Sequence, residues 1–282
     1  MNKPVVITAD STVDLSKELL DRFQIRIIPL TIILGDDTFL DGEGFTPLQM
    51  YARYRTDGIL PHTAAPGEQD FYDFFSQFTN EGFEVVHIDI SAELSNTYNV
   101  ATMAARRLPG IYTVDSRMLS TGGALLALEA AKCRDKGMAA AEIAEYVRTL
   151  TEKVSTSFVL DTLTFMWKGG RCSGVTALGA NLLKLKPALR MQGGKLEVFK
   201  KYRGSITHVY KQYITEMLEG KKIRPDYIFI TESGEVDPAV IRELTELVKR
   251  LSGCREVFHT LAGCTVSSHC GPKTLGVLFM EE

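Results

Sequence analysis

The sequence lacks the short motifs that most often identify nucleotide-binding or hydrolytic proteins. It contains no GxxxxGK[ST] loop and no GxGxxG after a predicted strand, so ATP or a dinucleotide bound by those loops is not supported. HExxH and GxSxG are also absent, which removes the usual signals of a zinc protease and of an α/β-hydrolase. Any chemistry must therefore come from residues outside these motifs.

Long apolar runs, basic runs and paired cysteines are missing as well. No segment approaches membrane-spanning length, and the N-terminal MNKPVVITAD enters a predicted strand without a signal-peptide core. The formal net charge is -3, and no Lys/Arg run offers a surface for nucleic acid. The five cysteines form no CxxC pair, which argues against a zinc site and fits a reducing compartment. We expect a cytoplasmic protein with no membrane span, no nucleic-acid partner and no metal.

The chain does contain alternating strand and helix patterns. Its 282 residues exceed the size at which one core usually stops growing, so we expect two domains, residues 1–154 and 155–282. The N-terminal part alternates strand and helix repeatedly, which is typical of a doubly wound, mostly parallel sheet. The C-terminal part contains an apolar helix over Val175–Leu185, a hairpin over Leu189–Tyr202 and further strands and helices. The predicted class is α/β, with two α/β domains and a mixed C-terminal sheet.

The stretch Val85–Leu108 carries the clearest ligand signal. Its first six residues form an apolar strand, and from Ser95 the apolar residues return at helical spacing. The turn between them is rich in hydroxyls, and Ser95, Asn96 or Thr97 would lie at or near the N-cap. A helix start at the end of a parallel strand offers unpaired N–H groups and a positive dipole end, so it favours a small anion. The alternative is that the hydroxyls only cap the helix.

Three loops supply further polar candidates. Two prolines and a glycine bracket Thr63 and are expected to hold its loop out of regular structure. Paired glycines precede Arg171, which is either a surface charge or a contact to phosphate or carboxylate. His269 lies in the polar, glycine-bearing segment Cys264–Pro272, which is predicted to be a loop.

A serine hydrolase acting on an ester is one function that these residues allow. Ser95 would be the nucleophile and His269 the base, with Asp89 or Asp115 as the carboxylate that orients it. Spacing alone does not establish a triad, because any chain of this length offers a Ser, a His and an Asp. A sugar- or nucleotide-binding module using the same helix start is a third possibility.

Five segments taken together resemble the DegV family of bacterial fatty-acid-binding proteins. They are ITADSTVDL (Ile7–Leu15), the HTAAPG loop, ISAELSNTYNVA (Ile90–Ala101), LDTLTFMWKGGR (Leu160–Arg171) and SSHCGPKTLGVLF (Ser267–Phe279). The resemblance implies two α/β domains that bury the chain of a long-chain fatty acid and hold its carboxylate at the interdomain cleft. It implies no cofactor, because the protein would be the binding subunit of a fatty acid kinase. A separate catalytic subunit would then use ATP to make the acyl phosphate.

The resemblance also assigns roles to four residues. Thr63 and Ser95 match hydroxyls that bind the carboxylate. His269 matches a histidine, and Arg171 an arginine, that are associated with phosphoryl transfer or with docking of the kinase, and His269 is also expected to contact the substrate. The chain would then lack catalytic residues of its own.

Beside these residues the sequence departs from the family pattern. Ala64 and Ala65 stand where the family usually has Ser and Gln, Asn96 where it usually has Gly, and Cys270 where Thr is common. The alanines remove two polar side chains next to Thr63, and Asn96 would narrow the approach to the helix amides. We therefore expect fewer side-chain donors at the head group than is usual in the family.

Overall fold

A computed structural model of the chain describes residues 3–172 and 185–282. Its strands are β1 (Val5–Asp10), β2 (Ile25–Ile28), β3 (Thr31–Leu34), β4 (Asp37–Leu40), β5 (His62–Ala64), β6 (Glu84–Asp89), β7 (Ile111–Asp115), β8 (Val154–Val159), β9 (Leu185–Gln192), β10 (Lys195–Arg203), β11 (Tyr227–Glu232), β12 (Glu256–Leu261) and β13 (Leu275–Met280). Its α-helices are α1 (Lys17–Phe23), α2 (Pro47–Asp57), α3 (Glu68–Asn80), α4 (Thr97–Ala105), α5 (Thr121–Asp135), α6 (Ala140–Leu150), α7 (Thr164–Gly169), α8 (Ile206–Leu218), α9 (Pro238–Ser252) and α10 (Cys264–Cys270). The helix predicted over Val175–Leu185 lies outside the described residues except for Leu185, which begins β9. None of the described helices is long and apolar enough to cross a membrane.

The N-terminal sheet is parallel throughout, with the strand order β2-β1-β6-β7. Helices α3 and α4 pack on one face, where Phe71, Phe75 and Ala101 are completely buried. Helices α5 and α6 cover the other face, and α5 is buried on almost every side. Burial on both faces explains the apolar strands, and the predicted doubly wound sheet is confirmed.

The C-terminal sheet is mixed, as predicted, with the order β10-β9-β8-β13-β11-β12. Only the β11–β12 pair is parallel among these described strands. The β9–β10 hairpin turns at Gly193 and Gly194, whose φ angles are 58° and 84°. A two-residue hairpin turn with positive φ at both central positions is favourable for glycine, which adopts positive φ readily, so the two glycines permit the hairpin.

A third sheet, β4-β3-β5, is small, antiparallel and was not predicted. Its strand β5 contains Thr63, which pairs with Ile32 of β3. The prediction that Thr63 lies in irregular structure was therefore wrong. Pro61 and Pro66 lie outside β5, so the three residues of the strand keep the N–H groups that pairing requires.

The two large sheets share one hydrophobic core through α5. This core joins Ile7 and Leu125 from the N-terminal part with Phe158 and Leu278 from the C-terminal part. None of the three sheets among the described residues combines strands from both sides of residue 154. We propose the domain boundary between residues 154 and 155, immediately after the first residue of β8.

Candidate functional site

A cavity of about 460 Å³ brings together all four predicted site residues, Thr63, Ser95, Arg171 and His269. They come from β5, the turn before α4, the segment after α7, and α10. Much of the remaining wall is apolar and includes Leu30, Ile90, Leu119, Met166, Leu196 and Val266. A chamber with an apolar wall and a few grouped polar side chains suits a ligand with an apolar body and a polar head.

The turn between β6 and α4 supplies one polar edge of this cavity. Asn96 is the N-cap residue of α4, but its side chain does not cap the helix. Its amide oxygen instead accepts a hydrogen bond from Asn99 Nδ2 at 3.0 Å. Ser95 Oγ lies 2.6 Å from Thr97 Oγ1 and accepts a weak hydrogen bond from Thr97 N at 3.3 Å. Ser95 and Asn96 line the cavity at the start of α4, so the Ser95 hydroxyl can donate to an anion bound there.

Thr63 and His269 also line the cavity and meet there, with 3.2 Å between Thr63 Oγ1 and His269 Nε2. The segment that carries His269 was predicted to be a loop, and this was wrong because Cys264–Cys270 forms α10. The N–H groups at the start of α10 find acceptors in Asp14 and Asp41, which lie more than 200 residues away in sequence. A short polar segment can be helical when its first amides are satisfied in this way.

The imidazole of His269 is largely buried and is neutral at physiological pH. Burial lowers its pKa to about 4, and electrostatic interactions with Arg171 and His62 contribute to the shift. Its Nδ1 has no hydrogen-bond partner among the described residues. Gly169 makes room for the ring, since a Cβ at that position would lie 2.4 Å from Nδ1.

The hydrogen bond between these two side chains sets the direction of the Thr63 hydroxyl. An unpaired buried N–H is rarer in proteins than an unpaired acceptor, so we assign the imidazole proton of His269 to Nε2. Nε2–H then donates to Thr63 Oγ1. The hydroxyl proton of Thr63 remains available for a ligand oxygen.

The low pKa of His269 predicts how folding stability depends on pH. The ordinary pKa of 6.5 in the unfolded chain exceeds the folded value of about 4, so acid protonates the unfolded chain first. The contribution of His269 to the free energy of unfolding is fully present above about pH 6.5. It decreases by up to about 3 kcal/mol as the pH falls towards 4. The free energy of unfolding measured with urea should therefore decrease less between pH 6.5 and pH 4 for His269→Gln than for the parent. An NMR midpoint for His269 near 6.5 would contradict this expectation.

Arg171 lines the cavity and has no carboxylate partner in the part of the chain that the structure describes. Gly170 ends α7 with a left-handed conformation (φ 68°), and Arg171 follows it. The exposed guanidinium donates to Gly169 O at 2.7 Å. The salt bridges found within the described ranges do not include Arg171, so its charge is not balanced by a neighbouring carboxylate there.

The serine hydrolase alternative has no support in this geometry. In the described part of the chain no hydrogen bond joins Ser95 to His269 or His269 to a carboxylate. Asp89 instead lies 3.1 Å from Nε2 of His87, and Asp115 accepts backbone N–H groups. Residues 3–172 and 185–282 also contain no group of three or more His, Cys, Asp or Glu that could hold a metal ion.

Sequence reasoning missed the apolar wall of the cavity and the two carboxylates behind α10. Leu30, Leu119 and Leu196 come from three separate segments and line one chamber only after folding. No periodic signal distinguishes them from ordinary core residues. Asp14 and Asp41 follow short elements in the N-terminal part, and no local pattern indicates their contact with α10.

Known proteins of similar sequence and structure cover the whole chain. A family model described as an uncharacterised protein of the DegV family matches residues 4–282. A DegV domain-containing protein of Clostridium perfringens is 29% identical over 289 residues, covering 100% of both chains. A DegV family protein from Thermus thermophilus, described as fatty acid binding, has a TM-score of 0.88 at 27% identity with 100% of both chains covered. A hypothetical protein of Thermotoga maritima, whose structure is described as revealing fatty acid binding, shares the fold with a TM-score of 0.85 at 23% identity and 100% coverage of both chains.

Proposed function

The chain belongs to the DegV family, and from this we propose that it binds a long-chain fatty acid. The acyl chain would occupy the cavity, and the carboxylate would lie between Thr63, Ser95 and the start of α4. The observation that carries this proposal is an apolar chamber with uncharged donors gathered on its wall. The full-length similarity to the Thermus thermophilus protein, which is described as fatty acid binding, supports it.

The tail and the head of such a ligand would contribute differently. Burying about 14 methylenes at roughly 0.8 kcal/mol each gives about 11 kcal/mol before the costs of association. A hydrogen bond to a charged group contributes about 1.5–3 kcal/mol. Affinity would therefore come mainly from the tail. The hydroxyls and amides would satisfy the buried carboxylate and fix the position of the ligand along the cavity.

Solvent extraction followed by mass spectrometry tests the proposal directly. Protein purified from a bacterial host should release about one fatty acid per chain, because a ligand held by roughly 11 kcal/mol of tail burial survives purification. Absence of any acyl chain, combined with failure to take one up on addition, would reject fatty-acid binding.

Removing a head-group hydroxyl should weaken binding of the acid selectively. Thr63→Val and Ser95→Ala each delete one donor to the carboxylate, so affinity for hexadecanoic acid should fall by about 10- to 100-fold. Affinity for hexadecanol should change much less, since the tail contacts remain. Displacement of a fluorescent acyl probe measures both affinities.

Thr102→Val is the matched control for these two variants. It removes a half-buried hydroxyl that bonds Thr113 outside the cavity. Its preference for the acid should equal that of the parent. Equal losses for acid and alcohol in Thr63→Val and Ser95→Ala would place the carboxylate elsewhere.

We further propose that the bound fatty acid is presented in the cytoplasm to a separate ATP-dependent kinase subunit. Two observations support presentation: the exposed Arg171 guanidinium, which has no carboxylate partner among the described residues, and the neutral His269 beside Thr63. The missing phosphate-binding loop fits an ATP site on another chain. The five cysteines are all free and buried, which supports a reducing compartment.

A further inference from the structure

Two buried carboxylates hold the start of α10 from the other half of the chain. Asp14 Oδ1 accepts a hydrogen bond from Gly263 N, and Asp41 Oδ1 accepts one from Cys264 N, both at 2.7 Å. Asp14 is 5% and Asp41 3% exposed. These contacts connect the N-terminal part directly to the helix that carries His269.

Both carboxylates are themselves fixed on the side away from α10. Ser120 Oγ donates to Asp14 Oδ2 at 2.5 Å, and Ser11 Oγ donates to Asp41 Oδ2 at 3.0 Å. Each carboxylate therefore has one oxygen held by its own half of the chain and one oxygen bonded to α10. This arrangement leaves α10 little freedom to shift relative to the N-terminal part.

Helix α10 depends on these acceptors for its position. It has only seven residues, and its N-cap residue, Gly263, has no side chain with which to cap it. A Cβ at Gly263 would lie 2.8 Å from Asp41 Oδ1, so glycine permits the close approach of backbone and carboxylate. The same helix presents Val266, His269 and Cys270 to the cavity.

Asp41 also belongs to the framework that holds Thr63. Its backbone N donates to Leu30 O at 2.8 Å, next to β3, and β3 pairs with the strand that contains Thr63. One carboxylate thus connects the sheet carrying Thr63 to the helix carrying His269. The contact between Thr63 Oγ1 and His269 Nε2 closes this ring of bonds.

We propose that Asp14 and Asp41 are positioning residues for the head-group site. By holding α10 against the small sheet they set the distance between His269 and Thr63, and through it the direction of the Thr63 hydroxyl. Neither side chain lines the cavity. This inference rests on the proposed fatty-acid function.

A purely structural role is the competing explanation, and Glu129 provides the matched control. Glu129 is also buried (8% exposed) and also joins the two parts, because it accepts hydrogen bonds from Arg224 and Tyr227. It does not line the cavity. Removing the Glu129 side chain should lower the stability of the protein without changing the ratio of its affinities for a fatty acid and the matching alcohol.

The experiment compares affinities for hexadecanoic acid and hexadecanol by displacement of a fluorescent acyl probe, with the NMR pKa of His269 as a second readout. Asp14→Ala and Asp41→Ala should lower the preference for the acid by about 10-fold and shift the His269 signal. Asp41→Asn should restore most of the preference, since an amide oxygen can accept from Cys264 N. Glu129→Ala should lower the melting temperature and keep the parent preference.

Four results would overturn the inference or its premise. An unchanged acid preference and His269 signal in Asp41→Ala would reject positioning, as would an equal loss of preference in Glu129→Ala. A parent protein with no preference for the acid would instead reject the carboxylate site. If Asp41→Ala does not fold, Ser11→Ala decides, because freeing Asp41 Oδ2 should lower the preference by about 3-fold and no change would reject the proposal.

Discussion

Protein carrying Ala65→Trp is expected to purify with almost no fatty acid, whereas the parent retains about one molecule per chain. Ala65 lines the cavity just after the strand that holds Thr63. An indole at this position would occupy space that the proposal assigns to the ligand. If about four methylenes were excluded from the cavity, binding would weaken by about 3 kcal/mol, or roughly 100-fold. Mass spectrometry of the extracted lipid, normalised to protein, measures the loss.

The same substitution outside the cavity provides the control. Ala141→Trp adds an indole to the exposed face of α6, away from the cavity, and should leave lipid content at the parent level. Comparable melting temperatures would show that both variants fold. Ala65→Trp protein with a full complement of unchanged fatty acid would mean that the acyl chain lies elsewhere.

The residues that sequence reasoning placed correctly depend on local signals. The apolar run of β6, the hydroxyl-rich turn and the helical spacing after Ser95 lie within one short stretch, and the structure contains that strand, turn and helix. The two positive φ angles at Gly193 and Gly194 similarly follow from the residues themselves. The confirmed parallel and mixed sheets follow from the order of such elements along the chain.

The wrong predictions concern segments whose structure is fixed by distant partners. Thr63 becomes part of a strand because β3, about thirty residues earlier, offers a pairing edge. His269 lies on a helix because Asp14 and Asp41 accept the first amides of α10. Neither partner can be inferred from the segment it stabilises, since loop composition describes only the local preference. The contact between Thr63 and His269 therefore depends on bonds between distant parts of the chain, which explains why the secondary structure of these two segments was not predicted.

Arg171→Ala and His269→Ala are expected to retain bound fatty acid. With the matching kinase subunit and ATP supplied, however, the rate of acyl-phosphate formation should fall about 100-fold in each variant. Transfer of a phosphoryl group to the carboxylate adds negative charge beside it. The Arg171 guanidinium has no carboxylate partner among the described residues, so it can respond to that charge. Neutral His269 would act by holding the Thr63 hydroxyl in place. Tail burial is unaffected by either change, so the lipid should stay bound.

Lipid content and turnover must be measured on the same preparations, because only their comparison separates presentation from binding. Lys168→Ala is the matched control, since it removes an exposed cation of α7 that does not line the cavity, and it should keep parent turnover. Variants of Arg171 and His269 that lose lipid and activity in parallel would assign these residues to binding or folding. Parent turnover in both variants would remove them from phosphoryl transfer. Retained lipid with lost turnover is the result expected if Arg171 acts on the developing charge and His269 fixes the Thr63 hydroxyl beside the carboxylate, while the tail contacts hold the ligand.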